Sequence, residues 1–234
     1  MSYVTIRMST LANLSYEDNL LQQIGGKLIE NRSTDTQGFI FSAVDGFDYH
    51  QIIFRGSEAN IKDWRTNLDS SFGEFGPYLG HQGFINAFES VKRHMWQFIS
   101  KMPDRPFVLS GHSLGGALAQ IAGLALESEG VSVSRVYSYG SPRVFHQDSA
   151  DEIMENSDIE FVRYVNLLDP VPRLPFRLSL FKHIAKPRLI LKNKIVKYPS
   201  AWDWVRAGFQ SQYPTIKNHS MVQYQDKVSK YSLV

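Results

Sequence analysis

One stretch constrains the fold more than any other: Phe107-Val108-Leu109-Ser110-Gly111-His112-Ser113-Leu114-Gly115-Gly116-Ala117-Leu118-Ala119. It reads as a short apolar strand, a sharp turn, and a helix opened by small residues. The turn carries Gly-x-Ser-x-Gly, the nucleophile-elbow pattern, in the strand-to-helix context that pattern requires. A serine between a strand and a helix sits on a cramped backbone, so the residues two positions away must be small. Gly111 and Gly115 meet that need, and Gly116, Ala117 and Ala119 let the helix lie close to the sheet. The Ser113 hydroxyl is then expected above the sheet edge, with the backbone N–H of Leu114 aimed where an oxyanion develops. The rival reading is a glycine-rich turn whose serine only caps the helix.

Strands and helices alternate on both sides of this unit. Gly38 to Val44 and Tyr49 to Phe54 read as a hairpin turning at Asp45-Gly46. Phe84, Phe88, Val91, Met95 and Phe98 recur at helical spacing, so they mark an amphipathic helix and its core face. Val133 to Gly140 and Phe161 to Asn166 read as strands, 147 to 156 as an acidic helix, and 188 to 198 as a hairpin around Lys192-Asn193-Lys194. Residues 17 to 30 are expected to be helical, as is the C-terminal part from Asn218, while the stretch through Gly80 reads as a loop. The pattern implies a single α/β domain over residues 1–234, with a largely parallel central sheet flanked by helices.

Composition narrows the chemistry. With 234 residues and 43% hydrophobic content the chain can build a sizeable core. There is no cysteine, which excludes a thiol nucleophile, a disulfide framework and a thiolate metal site. No HExxH, Cys/His cluster or phosphate-cradling glycine loop occurs, so neither metal nor nucleotide cofactor is expected. The N-terminus lacks the charged-then-apolar run of a secretory signal. The longest apolar stretch, near Leu114 to Leu126, is too short to span a bilayer. These features lead us to expect a soluble protein, cytoplasmic or exported without a cleavable signal. The net charge is +2 but uneven. Residues 173–206 hold nine Lys/Arg against the single acid Asp203, a net of +8, which leaves −6 for the rest. An anionic membrane surface is the partner such a block suits, a solvated face is the alternative, and nucleic acid is not expected because no recognisable binding motif accompanies it.

A serine hydroxyl needs a base, usually an oriented histidine. In α/β-hydrolase-like chains the order is Ser, then Asp or Glu, then His. Among the acids after Ser113, Asp169 stands at the end of an expected strand before Pro170, aimed at the same sheet edge; Asp203 is its rival. Only His183 and His219 follow Asp169. His183 sits in the basic segment, whereas His219 precedes the last helix, where a loop can return to the edge. His112 is locked into the elbow turn.

These residues carry a resemblance to the lipase class 3 family, which includes filamentous-fungal triacylglycerol lipases. The matching pieces are Phe54-Arg55-Gly56-Ser57, Asp63-Trp64, His81-x-Gly83-Phe84, the elbow Gly111 to Ala119, Tyr139-Gly140-Ser141-Pro142-Arg143-Val144, Val165-Asn166 through Asp169-Pro170-Val171-Pro172-Arg173-Leu174-Pro175, and His219. They occur in the family's order over roughly residues 50 to 225. The resemblance implies an α/β-hydrolase fold and hydrolysis of lipid acyl esters through an acyl-enzyme. It also implies Ser113 as nucleophile, His219 as base, Asp169 as orienting acid, and Ser57 joining Leu114 in the oxyanion hole. Phospholipase A1 or short-chain esterase activity at anionic surfaces is the alternative within enzymes, and a silent lipase-like binding module the alternative outside them. Two departures stand out. Phe145-His146 replaces the family's Gly-Asn, which implies a repacked loop. The lid region Glu58 to Trp64 is more polar than a fat-sensing lid.

Overall fold

A computed structural model of the chain describes residues 2–17, 19–43, 47–56, 71–175, 180–204 and 216–231. Eight strands form the main sheet: β1 (Lys27–Asn31), β2 (Thr36–Phe41), β3 (His50–Phe54), β6 (Phe107–His112), β7 (Val133–Tyr139), β9 (Glu160–Asn166), β11 (Pro187–Ile190) and β12 (Ile195–Lys197), in that spatial order. The five from β3 to β11 are parallel, and the edges are antiparallel hairpins. The central strands are buried over most of their length because both sheet faces are covered. On one face lie α3 (Gln82–Ile99), α4 (Leu114–Ser128) and α5 (Gln147–Asn156), packed around Phe88, Val91, Met95, Leu118 and Ile153. On the other lie α1 (Ser2–Leu14), the short α2 (Leu20–Gln23) and α6 (Met221–Tyr231), around Met8, Leu11, Leu21, Tyr224 and Val228. Among the described residues no helix is long and apolar enough to cross a membrane.

The expected helix over 17 to 30 is wrong for most of its length: α2 ends at Gln23 and β1 begins at Lys27. Gly25 turns the chain at φ 96°, and a Cβ on Gly26 would stand 2.7 Å from both the Leu21 carbonyl and the Phe41 ring. The helical spacing of Leu20, Leu21, Ile24 and Leu28 yields to that glycine pair. The loop expected through Gly80 is instead a hairpin, β4 (Phe72–Phe75) and β5 (Tyr78–His81), turning at Gly76 with φ 56°. It forms a second, four-stranded sheet with β8 (Phe145–His146) and β10 (Phe181–Lys182). Phe145, the departure from the family's Gly-Asn, is fully buried there, and its neighbour His146 caps α5 by accepting the Asp148 N–H at 3.3 Å.

Candidate active site

The elbow follows from the parallel strand order. β6 ends at His112 and α4 starts at Leu114, leaving Ser113 alone in the turn at φ 56°, ψ −126°. Only a strongly determined surrounding holds a non-glycine residue there. Gly111 and Gly115 supply it, since a Cβ on Gly111 would collide with the Gly115 carbonyl and one on Gly115 with that of Phe54. The Ser113 side chain makes no capping hydrogen bond to α4, which disposes of the rival reading in which it only caps the helix. The first N–H groups of α4, that of Leu114 included, point towards this turn, where the helix dipole favours negative charge.

Asp169 lies in the loop after β9, held by the 3₁₀ turn Val171–Arg173. It is fully buried and each carboxylate oxygen is in use. Oδ1 accepts the Val171 N–H at 2.9 Å, while Oδ2 accepts both the Tyr224 hydroxyl and Nδ1–H of His219, each at 2.7 Å. His219 closes the 3₁₀ turn Ile216–His219 ahead of α6 and is 1% exposed. With Nδ1 donating to a carboxylate, Nε2 carries the lone pair, and it has no hydrogen-bond partner among the described residues. A base placed to accept a proton needs that free lone pair.

The elbow and this pair meet through their neighbours. Ser113 N–H donates to the Tyr139 carbonyl at 2.9 Å. The next residue, Gly140, turns at φ 59°, where a Cβ would stand 2.7 Å from Asp169 Oδ2 and 3.0 Å from the His219 ring. The ring of His112, one residue before Ser113, lies 4.4 Å from that of His219, and its Nδ1 is 2.7 Å from the Tyr16 hydroxyl. Burial first, then the neighbouring His219, push the His112 imidazole well below its ordinary pKa. A neutral ring therefore faces His219, so an imidazolium formed there meets no like charge.

Three of the expected site residues, Ser113, Asp169 and His219, thus converge, with Leu114 at the helix start. Ser57 and the lid region 58–64 lie outside the described residues. The rivals are occupied elsewhere. Asp203 accepts the N–H and hydroxyl of Ser200 at 2.8 and 2.7 Å, and His183 Nε2 donates to the Pro172 carbonyl at 2.8 Å. Sequence reasoning missed Tyr224, whose hydroxyl also accepts the Asn166 N–H at 2.9 Å. Burial, then the Asp169 carboxylate, raise its pKa well above the ordinary tyrosine value, so it remains a donor. Its place with Met221 and Val228 on one stripe of α6 is the signal that marks it as buried. Among the described residues no three His, Asp or Glu side chains group to hold a metal.

The model of the lipase (class 3) family matches residues 51–179, more than half of the chain. The chain belongs to the class 3 lipase family. Among curated relatives, a secreted mono- and diacylglycerol lipase of Fusarium solani is 35% identical over 136 residues, which are 55% of this chain and 40% of that one. A lipase of Rhizomucor miehei is 31% identical over 153 residues, 61% of this chain and 42% of its own. The chain thus spans about half the length, or less, of the curated relatives it matches. Lipase II from Rhizopus niveus superposes with a TM-score of 0.75 at 22% identity, covering 94% of both chains. That likeness shows the fold, the α/β-hydrolase fold of fungal lipases.

Proposed function

We propose that this class 3 lipase family member is a serine hydrolase of lipid acyl esters, acylglycerols among them, working through an acyl-enzyme. The buried Asp169–His219 pair, with its free Nε2 beside the Ser113 elbow, carries the reading. Ser113 Oγ attacks the ester carbonyl while His219 Nε2 takes its proton and returns it to the leaving alcohol. Asp169 fixes the imidazole tautomer and stabilises the charged form. The Leu114 N–H and Ser57 bind the oxyanion, each donor supplying about 3 kcal/mol of transition-state stabilisation. Water, activated by the same histidine, then releases the acid. The substrates named for the Fusarium and Penicillium relatives, mono- and diacylglycerols, support the choice of acyl ester. The reading takes residues 1–234 as one domain, supported by the two hydrophobic clusters that share a single sheet.

The reading extends to where the enzyme works. Tyr198 and Trp202 are 75% and 73% exposed, Leu180 is 48% exposed, and Lys186, Lys192 and Lys194 of the same basic segment are exposed as well. Exposed apolar side chains and lysines carried by one segment suit the boundary of an anionic lipid surface, where each cation is worth roughly 1 kcal/mol.

The test is Ser113→Ala on a panel of esters from acetyl to palmitoyl, with triolein and phospholipid. Turnover falls on the order of 10⁶-fold with folding intact. Turnover within about tenfold of the parent refutes the nucleophile assignment.

A further inference from the structure

Beside Asp169 a groove of about 1070 Å³ opens between β9, the 3₁₀ turn at Val171–Arg173 and the segment 180–187. Its walls carry Arg143, Arg163, Arg173, Lys182 and Lys186 against two acids, Asp151 and Asp169. Both acids are engaged: Asp151 pairs with Lys182, and Asp169 has each oxygen bonded as described above. Arg143 and Arg173 turn towards backbone carbonyls, those of Arg173 and Pro175 for the first and of Leu167 for the second. The groove therefore holds an excess of positive charge.

Arg163 is the unusual member. Its side chain leaves the middle of β9, between the neighbouring strands β7 and β11, and the residue is only 9% exposed. Nε donates to the Ala185 carbonyl at 3.0 Å, but the two terminal nitrogens make no hydrogen bond among the described residues. No carboxylate pairs with it among the described residues. Burial lowers its pKa to about 9; Tyr224 opposes that shift and the positive field of Arg143 adds to it. A buried guanidinium without a counter-ion is costly, and its planar fork of donors matches two oxygens of a phosphate or carboxylate. His183, which also lines the groove, is held neutral by burial and by the Arg163 charge, so it does not compete for an anion but keeps a buried Nδ1, without a hydrogen-bond partner among the described residues, able to accept a hydroxyl proton.

We propose that this groove is an anion subsite in which the Arg163 fork, backed by Lys186 at the rim, binds a phosphate group. The phosphate belongs either to the head group of a lipid whose ester lies at Ser113 or to the free ion. The lipid source rests on the ester-hydrolase reading; the site itself does not, because phosphate binding needs no turnover.

The experiment titrates inorganic phosphate into the full chain bearing Ser113→Ala, at constant ionic strength set with sodium chloride, and follows both calorimetric heat and Tm. Phosphate is expected to bind saturably and raise Tm where chloride does not. Arg163→Lys keeps the charge and loses the fork, so affinity falls about tenfold. Lys186→Glu, at an exposed position, lowers affinity by roughly fivefold without touching the core, and covers the case in which changes at Arg163 impair folding. Short-chain dihexanoyl phosphatidic acid, below its micellar concentration, displaces phosphate if the lipid head group is the ligand. Saturable phosphate binding that the lipid does not displace assigns the site to the free ion. A Tm response to phosphate no larger than to chloride, or phosphate affinity unchanged in both Arg163→Lys and Lys186→Glu, overturns the site. Since all of this is read without catalysis, loss of the subsite and loss of the hydrolase reading are told apart.

Discussion

Gly140→Ala separates catalytic geometry from stability. Gly140 turns at φ 59°, where an L-residue costs about 1–2 kcal/mol. Its added Cβ would stand 2.7 Å from Asp169 Oδ2 and 3.0 Å from Cε1 and Nδ1 of His219, closer than a carbon tolerates against a carboxylate oxygen. The pair must retreat by roughly half an ångström to restore contact distance. Since a displacement of about 1 Å at a catalytic group can cost 10²-fold, half of that predicts a loss near tenfold in kcat. Backbone strain and displacement together make a loss of about 2 kcal/mol, or roughly 4–8 °C in Tm for a chain of this size. Gly130→Ala is the control: it has φ 76° and nothing within 4 Å of its would-be Cβ, so it carries the backbone cost alone. The assay compares kcat on a soluble short-chain ester, with Tm by scanning calorimetry. Gly130→Ala loses Tm and keeps kcat; Gly140→Ala loses both. Equal kcat in the two variants would refute the claim that Gly140 is glycine because the Asp–His pair occupies the space of its side chain.

Tyr224→Phe removes a hydrogen bond to the Asp169 carboxylate and leaves the buried Asn166 N–H unpaired, for a loss of about 3 kcal/mol in stability by urea unfolding. A change below about 0.5 kcal/mol would mean that water replaces the hydroxyl. His219→Ala resembles Ser113→Ala in turnover and adds little to it in the double variant, whereas His183→Ala keeps most of the activity on a neutral short-chain ester; the reverse pattern would move the base. His112 and His183 are both held neutral in the fold, so the unfolded chain binds more protons below the ordinary histidine value of 6.5. Stability then falls as pH drops below that value, by up to about 1.4 kcal/mol per pH unit for each, and a Tm flat from pH 7 to 5 would contradict it. Binding to vesicles rich in anionic lipid weakens with rising salt and with Lys192→Glu/Lys194→Glu, while adsorption equal on neutral vesicles would leave 173–206 as a solvated face.

What the sequence disclosed depended on how local each signal was. The elbow was legible because Gly111, Ser113 and Gly115 answer to one turn, and α3 because Phe84, Phe88, Val91 and Met95 form an uninterrupted stripe. Asp169 and His219 followed from chain order and from the turn residues around them. The helix α1 was not legible: its buried stripe runs through Thr5, Met8, Ser9, Leu11 and Ala12, and the polar members hide the period. The Thr5 hydroxyl meets that of Tyr137 at 3.1 Å, a partner 132 residues away. The hairpin of β4 and β5 was missed for a similar reason. Its Gly and Pro residues read as loop, although β4 and β5 pair with each other from Phe72 to His81, and the sheet they join is completed by β8, which the sequence places far downstream. The role of His112 also depends on distant partners, Tyr16 on one side and His219 on the other.

Those distant partners explain how the site is held. The nucleophile elbow belongs to the middle of the chain, but the groups that orient its base come from both ends. Tyr16, just beyond α1, meets the His112 ring, and a Cβ on Gly56 would strike both that hydroxyl and the His112 carbonyl. At the other end, α6 brings Tyr224 to Asp169 and lies against α1, where Gln225 reaches Thr10 at 3.3 Å. His219 and Tyr224 are five residues apart on the same terminal segment and bond to the same carboxylate oxygen, so the docking of α6 places the imidazole and its orienting acid in one step. The parallel sheet alone fixes Ser113 and the start of the Asp169 loop; it does not fix the base. His219 is placed by α6, which packs with α1 on the second face of the sheet and buries Met8, Leu11, Met221 and Val228. Hydrophobic burial on that face and the proposed proton transfer at the sheet edge are therefore expected to be coupled, a loosened α1–α6 contact displacing His219 along with Tyr224.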